Sequence, residues 1–257
     1  MGQNFMVDSS VYPKLAAYAS LNATDVVLDA GAGFGFLTLF LAPKCKQVIA
    51  VEKDPQIAGV LREQTQTLSN VALIEGDVLK VAVPAFNKAI SIPPYYLSSD
   101  FVLWLLNRAP ECAVLILQKE FALRLSANVG DESYSWLSVV LRYRANIELL
   151  DNVPNWMFYP QPEVDSVIVR LKPWSTLPFK VNDEVFFRRL VRWLFTQRNK
   201  KLSNALTPFL RNEHKLDKAT VAQITSSLPL REKRVRDLSP ENFGEIANAL
   251  TKQTPNL

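Results

Sequence analysis

The chain has 257 residues, 48% of them hydrophobic and 10% aromatic, with a net charge of +4. That length holds one large domain or two modest ones, the apolar content excludes general disorder, and no apolar run reaches the roughly 18 residues of a membrane span. Two cysteines, Cys45 and Cys112, and one histidine, His214, leave disulfide scaffolds, cysteine-rich zinc sites and histidine-dependent triads without raw material, so no metal site is expected.

The opening MGQNFMVDSS has no charged segment leading into an apolar one, so no secretory signal is read there and a cytoplasmic protein is expected. From residue 25 the chain alternates short β-rich runs with helical patterns, the signature of a parallel sheet with crossover helices. DVVLDA (25–30), QVIAVE (47–52), VALIE (71–75), KAISI (88–92) and CAVLILQ (112–118) read as buried strands. FLTLFLA, PQIAGVLREQTQTL and SSDFVLWLLNR between them read as helices. Further strands are expected at LSVVLRYRANIELL and DSVIVRLK, and the proline-flanked KPWSTLPF reads as a linker. Beyond it the pattern turns helical in VFFRRLVRWLFTQ, KKLSNALTPFL, KATVAQITSSL and PENFGEIANALTK. These patterns divide the chain into an α/β domain over 1–172 and a smaller helical domain over 173–257.

Between the first strand and its helix lies DAGAGFG, Asp29 to Gly35. Glycines there let the backbone turn sharply and approach a ligand without Cβ interference. A dinucleotide fingerprint needs glycine at position 36, which is Phe36; the spacing fits the acid-x-G-x-G-x-G loop of nucleoside-binding methyltransferases, with Gly31 and Gly33 in the turn. No Lys-Ser/Thr pair follows, which excludes a phosphate-gripping P-loop. Glu52 ends the second strand, where a carboxylate can accept both hydroxyls of a ribose, and Asp77 follows the third, where one can accept the amino group of an adenine ring. Three features at successive strand ends converge on the crevice where open α/β sheets bind ligands. Together they point to S-adenosylmethionine.

Charge is uneven along the chain. Residues 170–236 hold 16 Lys/Arg against 5 Asp/Glu, net +11, while residues 1–169 hold 12 against 17, net −5. A basic block of this kind suits a polyanion. Helical spacing puts Phe186, Leu190, Leu194 and Trp193 on a core stripe and turns the cations outward. Arg198, Lys200, Lys201 and Arg234 are the expected RNA contacts.

The chain resembles the rRNA adenine dimethyltransferase family, the KsgA type that modifies small-subunit ribosomal RNA, over nearly all its length. GQNFMVD, LDAGAGFGFLT, VEKDP and GDVLK resemble its successive cofactor motifs, and QKEFALRL, FYPQPEVDSVIVRL, LFTQRNKKLSNAL and LSPENFGEIANAL resemble its downstream signatures, in order. The resemblance implies a Rossmann-like class I S-adenosylmethionine-dependent methyltransferase domain followed by a smaller helical RNA-binding domain. It implies that Gln3, Asn4 and Met6 close over the cofactor, with Glu52 on ribose, Asp77 on adenine, and Lys53, Val78 and Ser91 in the same motifs. The start so close to GQNF resembles archaeal members. The activity implied is N6-dimethylation of two adjacent adenines near the 3′ end of small-subunit rRNA in an immature subunit, by a monomer.

Adenine-amine methylases of this kind carry Asn or Asp, an apolar residue, Pro and an aromatic where this chain has SIPPYYLSS. Aligning Pro94 and Tyr95 with the Pro-aromatic pair puts Ile92 at the Asn position and keeps the following serines in step. Aligning Ser91 as the polar residue puts Pro94 where the aromatic belongs. The first register is favoured, since it keeps the stacking Tyr95 and the Pro93 carbonyl. An isoleucine side chain cannot accept a hydrogen bond, so weakened or altered activity is expected, or a role as a ribosome-assembly factor with little turnover. A large-subunit rRNA adenine methylase is a further alternative. In ESYSWLSV, Trp136 stands where relatives carry Arg, and it is expected to be packed.

Overall fold

The computed structural model describes residues 4–253, apart from the side chains of Tyr96 and Ser98. Two compact units result: residues 1–123 with 145–173, and residues 124–144 with 174–257. The segment 124–144, expected in the first domain, thus groups with the helical one.

The first unit is built on β1 (Phe5–Met6), β2 (Val26–Ala30), β3 (Gln47–Glu52), β4 (Val71–Glu75), β5 (Lys88–Ser91), β6 (Cys112–Gln118), β7 (Ala145–Val153), β8 (Phe158–Tyr159) and β9 (Ser166–Pro173). Seven of these form one sheet in the order β4-β3-β2-β5-β6-β9-β7. The first five in that order run parallel, β9 pairs antiparallel with β6 and β7 antiparallel with β9, so β9 alone runs against the other six and the sheet is mixed rather than wholly parallel. The five near-continuous apolar runs of the sequence are therefore the strands that need cover on both faces, as a parallel arrangement requires. The helices α1 (Tyr12–Tyr18), α2 (Phe36–Leu41), α3 (Pro55–Thr65) and α4 (Ser98–Asn107) connect them. α3 starts with Pro55 after Asp54, whose carboxylate accepts the N–H groups of Gln56 and Ile57, a favourable N-cap followed by proline at the first helical position.

β2 is the central strand, with β3 on one side and β5 on the other. Chain direction around the sheet reverses there, and ligand crevices lie at the carboxyl ends of strands flanking such a point. The β2–β5 pairing stops at Leu28↔Ala89. Two residues further along β5 the Ser91 hydroxyl, fully buried, accepts the Ala30 N–H at 2.9 Å and donates to the Leu28 carbonyl at 3.2 Å. A side chain thus takes over from the backbone ladder where the two tips part.

The second unit holds α6 (Trp136–Arg144), α7 (Glu184–Phe195), α8 (Leu202–Asn212), α9 (Lys218–Ser227) and α10 (Pro240–Gln253); the boundary between units falls within α5 (Lys119–Ser126). LSVVLRYR, expected as strand, is helix: Leu137, Val140 and Leu141 recur at helical spacing and are buried with Tyr143, and that packing overrides the β preference of two adjacent valines. On α7 the residues Phe186, Phe187, Leu190, Val191 and Leu194 are buried while Arg188, Arg189 and Arg192 face solvent. Trp193 is half-buried against Phe209. The Arg192 guanidinium lies 5.3 Å from the Trp136 ring, a cation–π contact.

Candidate active site

Three adjoining clefts open at the carboxyl ends of β2, β3, β4 and β5. Gly31 lines all three, and Glu52, Asn4, Phe5 and Ile92 each line two, which makes them compartments of one groove.

Gly31 follows β2 with φ +74°, and its N–H donates to the Val51 carbonyl at 2.8 Å. A Cβ there would fall 2.7 Å from Pro94 Cδ, a rigid ring atom. Glycine is required twice over, by the left-handed backbone and by the close approach of the SIPPYY loop. Glu52, 3% exposed, accepts the Gly33 N–H through Oε2 at 2.9 Å and the Asp54 N–H through Oε1 at 2.9 Å. A carboxylate has about four lone-pair sites, so this one is fixed in direction with acceptor capacity left over. Gly76 N–H donates to the Glu52 carbonyl at 2.7 Å and ties the β4 tip to the β3 tip. Asp77 then accepts the Leu79 N–H at 3.1 Å and lies 3.4 Å from Lys53 Nζ. Val78, Leu97 and Phe101 wall the same compartment with apolar surface.

Asp29, the acid that opens the glycine loop, is buried and accepts the Thr38 hydroxyl at 2.7 Å. Burial pushes its carboxyl up to about 7, against the Thr38 hydrogen bond and with the help of the Glu52 charge. It braces the loop from below, a role its place in the motif did not reveal.

Of the residues expected from sequence, Asn4, Met6, Gly31, Gly33, Glu52, Lys53, Asp77, Val78, Ile92, Pro93, Pro94 and Tyr95 all line the groove. Gln3 lies outside the described residues. Ser91 is not among the lining residues: its side chain is buried and its hydroxyl bonds to the Ala30 N–H and the Leu28 carbonyl of β2. Ile92 is half-buried and packs on the core. The Tyr95 hydroxyl shares a 2.8 Å hydrogen bond with Ser166, and its ring meets Phe158 edge-on at 6.3 Å, so the ring direction is set from below. Burial raises its pKa against the Ser166 bond. Sequence reasoning missed Phe5, whose ring lies against Gly33; its neighbours in the GQNF motif were the available signal.

In the second unit, residues 198–203 run beside 231–236. Leu202 N–H donates to the Lys233 carbonyl at 2.8 Å, Val235 N–H to the Lys200 carbonyl at 3.0 Å and Arg236 N–H to the Arg198 carbonyl at 3.0 Å. The two basic segments are thereby laid together. Lys200, Lys201 and Arg234 are exposed, and Arg198 reaches the Glu132 carbonyl at 3.2 Å. Arg234 donates to the Asn199 carbonyl and Lys201 pairs with Glu232 at 2.7 Å.

A mixed sheet of this order, with a glycine turn and two acids on successive strand tips, defines the Rossmann-like class I methyltransferase fold. The family model for ribosomal RNA adenine dimethylase matches residues 1–252. The chain belongs to that family. It is 39% identical to the probable ribosomal RNA small subunit methyltransferase A of Methanosarcina mazei, over 96% of this chain and 91% of that protein. It is equally 39% identical to the protein of the same name from Thermococcus onnurineus, over 96% and 89%. Among solved structures, a dimethyladenosine transferase from Plasmodium falciparum superposes with a TM-score of 0.83 at 27% identity, covering 97% of this chain and 98% of that one. The 23S rRNA methyltransferase ErmE superposes with 0.70 at 27% identity, covering 96% and 99%. No helix among the described residues is long and apolar enough to cross a membrane, and no group of three or more His, Cys, Asp and Glu among them could hold a metal ion.

Proposed function

We infer that the chain is an S-adenosylmethionine-dependent methyltransferase acting on adenine N6 of small-subunit rRNA, with two adjacent adenines near the 3′ end of an immature subunit as substrate. The observation that carries this is Gly31: it lines every compartment of the groove and touches the loop that would hold the target base. Glu52 has the acceptor capacity for ribose hydroxyls, Asp77 for an adenine amino group, and Val78, Leu97 and Phe101 give a planar ring its apolar walls. The residues present therefore fit the cofactor, which when bound supplies an electrophilic methyl on a sulfonium. The chain's own work is alignment: in-line transfer depends on holding the amine at close range and on stabilising the charge it develops. Tyr95 offers a face for an extruded base, and the Pro93 carbonyl is the acceptor left for an amine N–H. The greater likeness to proteins named for the small subunit than to ErmE favours the small-subunit substrate.

Titration calorimetry with S-adenosylmethionine and mass spectrometry of treated small subunits test this reading. Saturable heat and methylated adenine are expected; neither in the wild type refutes it. Heat without methyl transfer in the wild type, with transfer restored in Ile92→Asn, favours the second reading, an assembly factor, which rests on the missing acceptor at Ile92.

Two variants probe the two units separately. Gly31→Ala drives a methyl into the Pro94 ring and strains a φ of +74°, so cofactor binding by calorimetry falls at least about tenfold, the strain alone being worth roughly 1–3 kcal/mol. Reversing Arg198, Lys200 and Lys201 to Glu lowers RNA affinity and flattens the slope of log K against log salt by about two to three, near one counterion per lost phosphate contact. An unchanged slope would assign these cations to solubility alone.

A further inference from the structure

The β1–β8 ribbon pairs Phe5 with Tyr159 and Met6 with Phe158. Directly opposed residues of an antiparallel pair project to the same face. Met6 and Phe158 are both buried and form the core face. Phe5 and Tyr159 therefore share the other face. Phe5 lies in the groove, where a Cβ on Gly33 would come within 3.2 Å of its ring, and it meets Phe34 at 4.7 Å between centroids. Tyr159, beside it, is 72% exposed, and Trp156 three residues earlier is 61% exposed. The ribbon is further anchored by Val7 N–H donating to the Met157 carbonyl at 2.9 Å, so the Tyr159 ring is carried on a tethered backbone rather than a loose tip.

A groove that takes one extruded base must also pass the strand on either side of it. An aromatic face that continues the groove wall is a suitable surface for a neighbouring base, because every base has a π-face and stacking tolerates any sequence. We propose that Tyr159 is a stacking platform for the nucleobase adjacent to the target adenine, making the Phe5–Tyr159 face of the ribbon a binding surface for single-stranded RNA. The proposal rests on the RNA-methyltransferase reading above and adds a contact to it outside the cofactor compartments.

The test measures fluorescence anisotropy of a short labelled RNA carrying two adjacent adenines, titrated with wild type, Tyr159→Ala and Tyr159→Phe, alongside calorimetry of S-adenosylmethionine. Loss of the ring weakens RNA binding roughly five- to a hundredfold, the range for one stacked base, while Phe stays within about twofold of wild type and cofactor binding is unchanged in both. Ala binding as well as wild type overturns the proposal, as does Phe losing as much as Ala, or wild type failing to bind the strand. Absent cofactor heat in the wild type would instead refute the methyl-transfer reading, and the Tyr159 comparison would still be read from RNA binding alone.

Discussion

Ile92→Asn raises the rate of methyl transfer to small-subunit RNA by roughly one to two decades, with cofactor affinity unchanged. The adenine amine is a weak nucleophile because its lone pair is delocalised into the ring, and an acceptor for each N–H draws that pair back onto nitrogen. In the favoured alignment the Pro93 carbonyl supplies one acceptor, and Ile92, which lines two compartments of the groove, supplies none. Ser91 cannot substitute, being buried and bonded to Ala30 and Leu28. One missing hydrogen bond of this sort is worth on the order of 1–3 kcal/mol, and about 1.4 kcal/mol is a decade in rate. Ile92 also packs on the core, so Ile92→Leu serves as the control that disturbs packing without adding an acceptor. Full dimethylation at equal rates by wild type and Ile92→Asn would remove the argument and leave the Pro93 carbonyl sufficient. A rise in Ile92→Leu matching that in Ile92→Asn would assign the effect to packing.

Local patterns carried the groove and distant ones did not. The five parallel strands and the glycine turn are legible because a strand buried on both faces is a continuous apolar run, and a turn with positive φ needs glycine. Glu52 and Asp77 were legible from their places just past such runs. Ser91 reads as a cofactor residue from its neighbours, since adjacency to a motif does not tell which backbone a hydroxyl will meet; its partners are more than 60 residues away. The β1–β8 ribbon has two residues on each side, too few for any periodicity to register. LSVVLRYR was ambiguous for a related reason: a short apolar run with two valines fits a strand until its burial pattern is known.

Nothing in the sequence marked the far end of the sheet, where the largest effect on stability is expected. There, opposite the groove, Lys88 at the start of β5 lies 2.8 Å from Asp25, with 6% and 2% of their side chains exposed. Lys88 Nζ also donates to the Ser20 carbonyl at 2.6 Å, and Asp25 accepts from Asn87 Nδ2 at 2.7 Å and from the Asn22 N–H at 2.8 Å. Asn87 in turn accepts the Val26 N–H at 2.8 Å. Every oxygen of the carboxylate is engaged, and the knot joins the entry points of β2 and β5. Lys88→Ala leaves a buried carboxylate without its cation, and breaking a buried pair from one side costs about 3–5 kcal/mol. That is a large share of the 5–15 kcal/mol typical of a folded protein. Denaturant titration would measure it, and a loss below about 1 kcal/mol would show that water enters and replaces the lysine. The same knot sets an acid limit. Burial alone would raise the Asp25 carboxyl, but Lys88, Asn87 and the Asn22 N–H together hold it below its ordinary 3.8. A depressed folded-state pKa means that the unfolded chain takes up the proton first, so the stabilisation is complete above the ordinary value and is lost as pH falls through the lower folded one. Wild-type stability therefore drops below about pH 4, and Lys88→Ala, lacking the cation that depresses Asp25, loses less of its remaining stability over that interval.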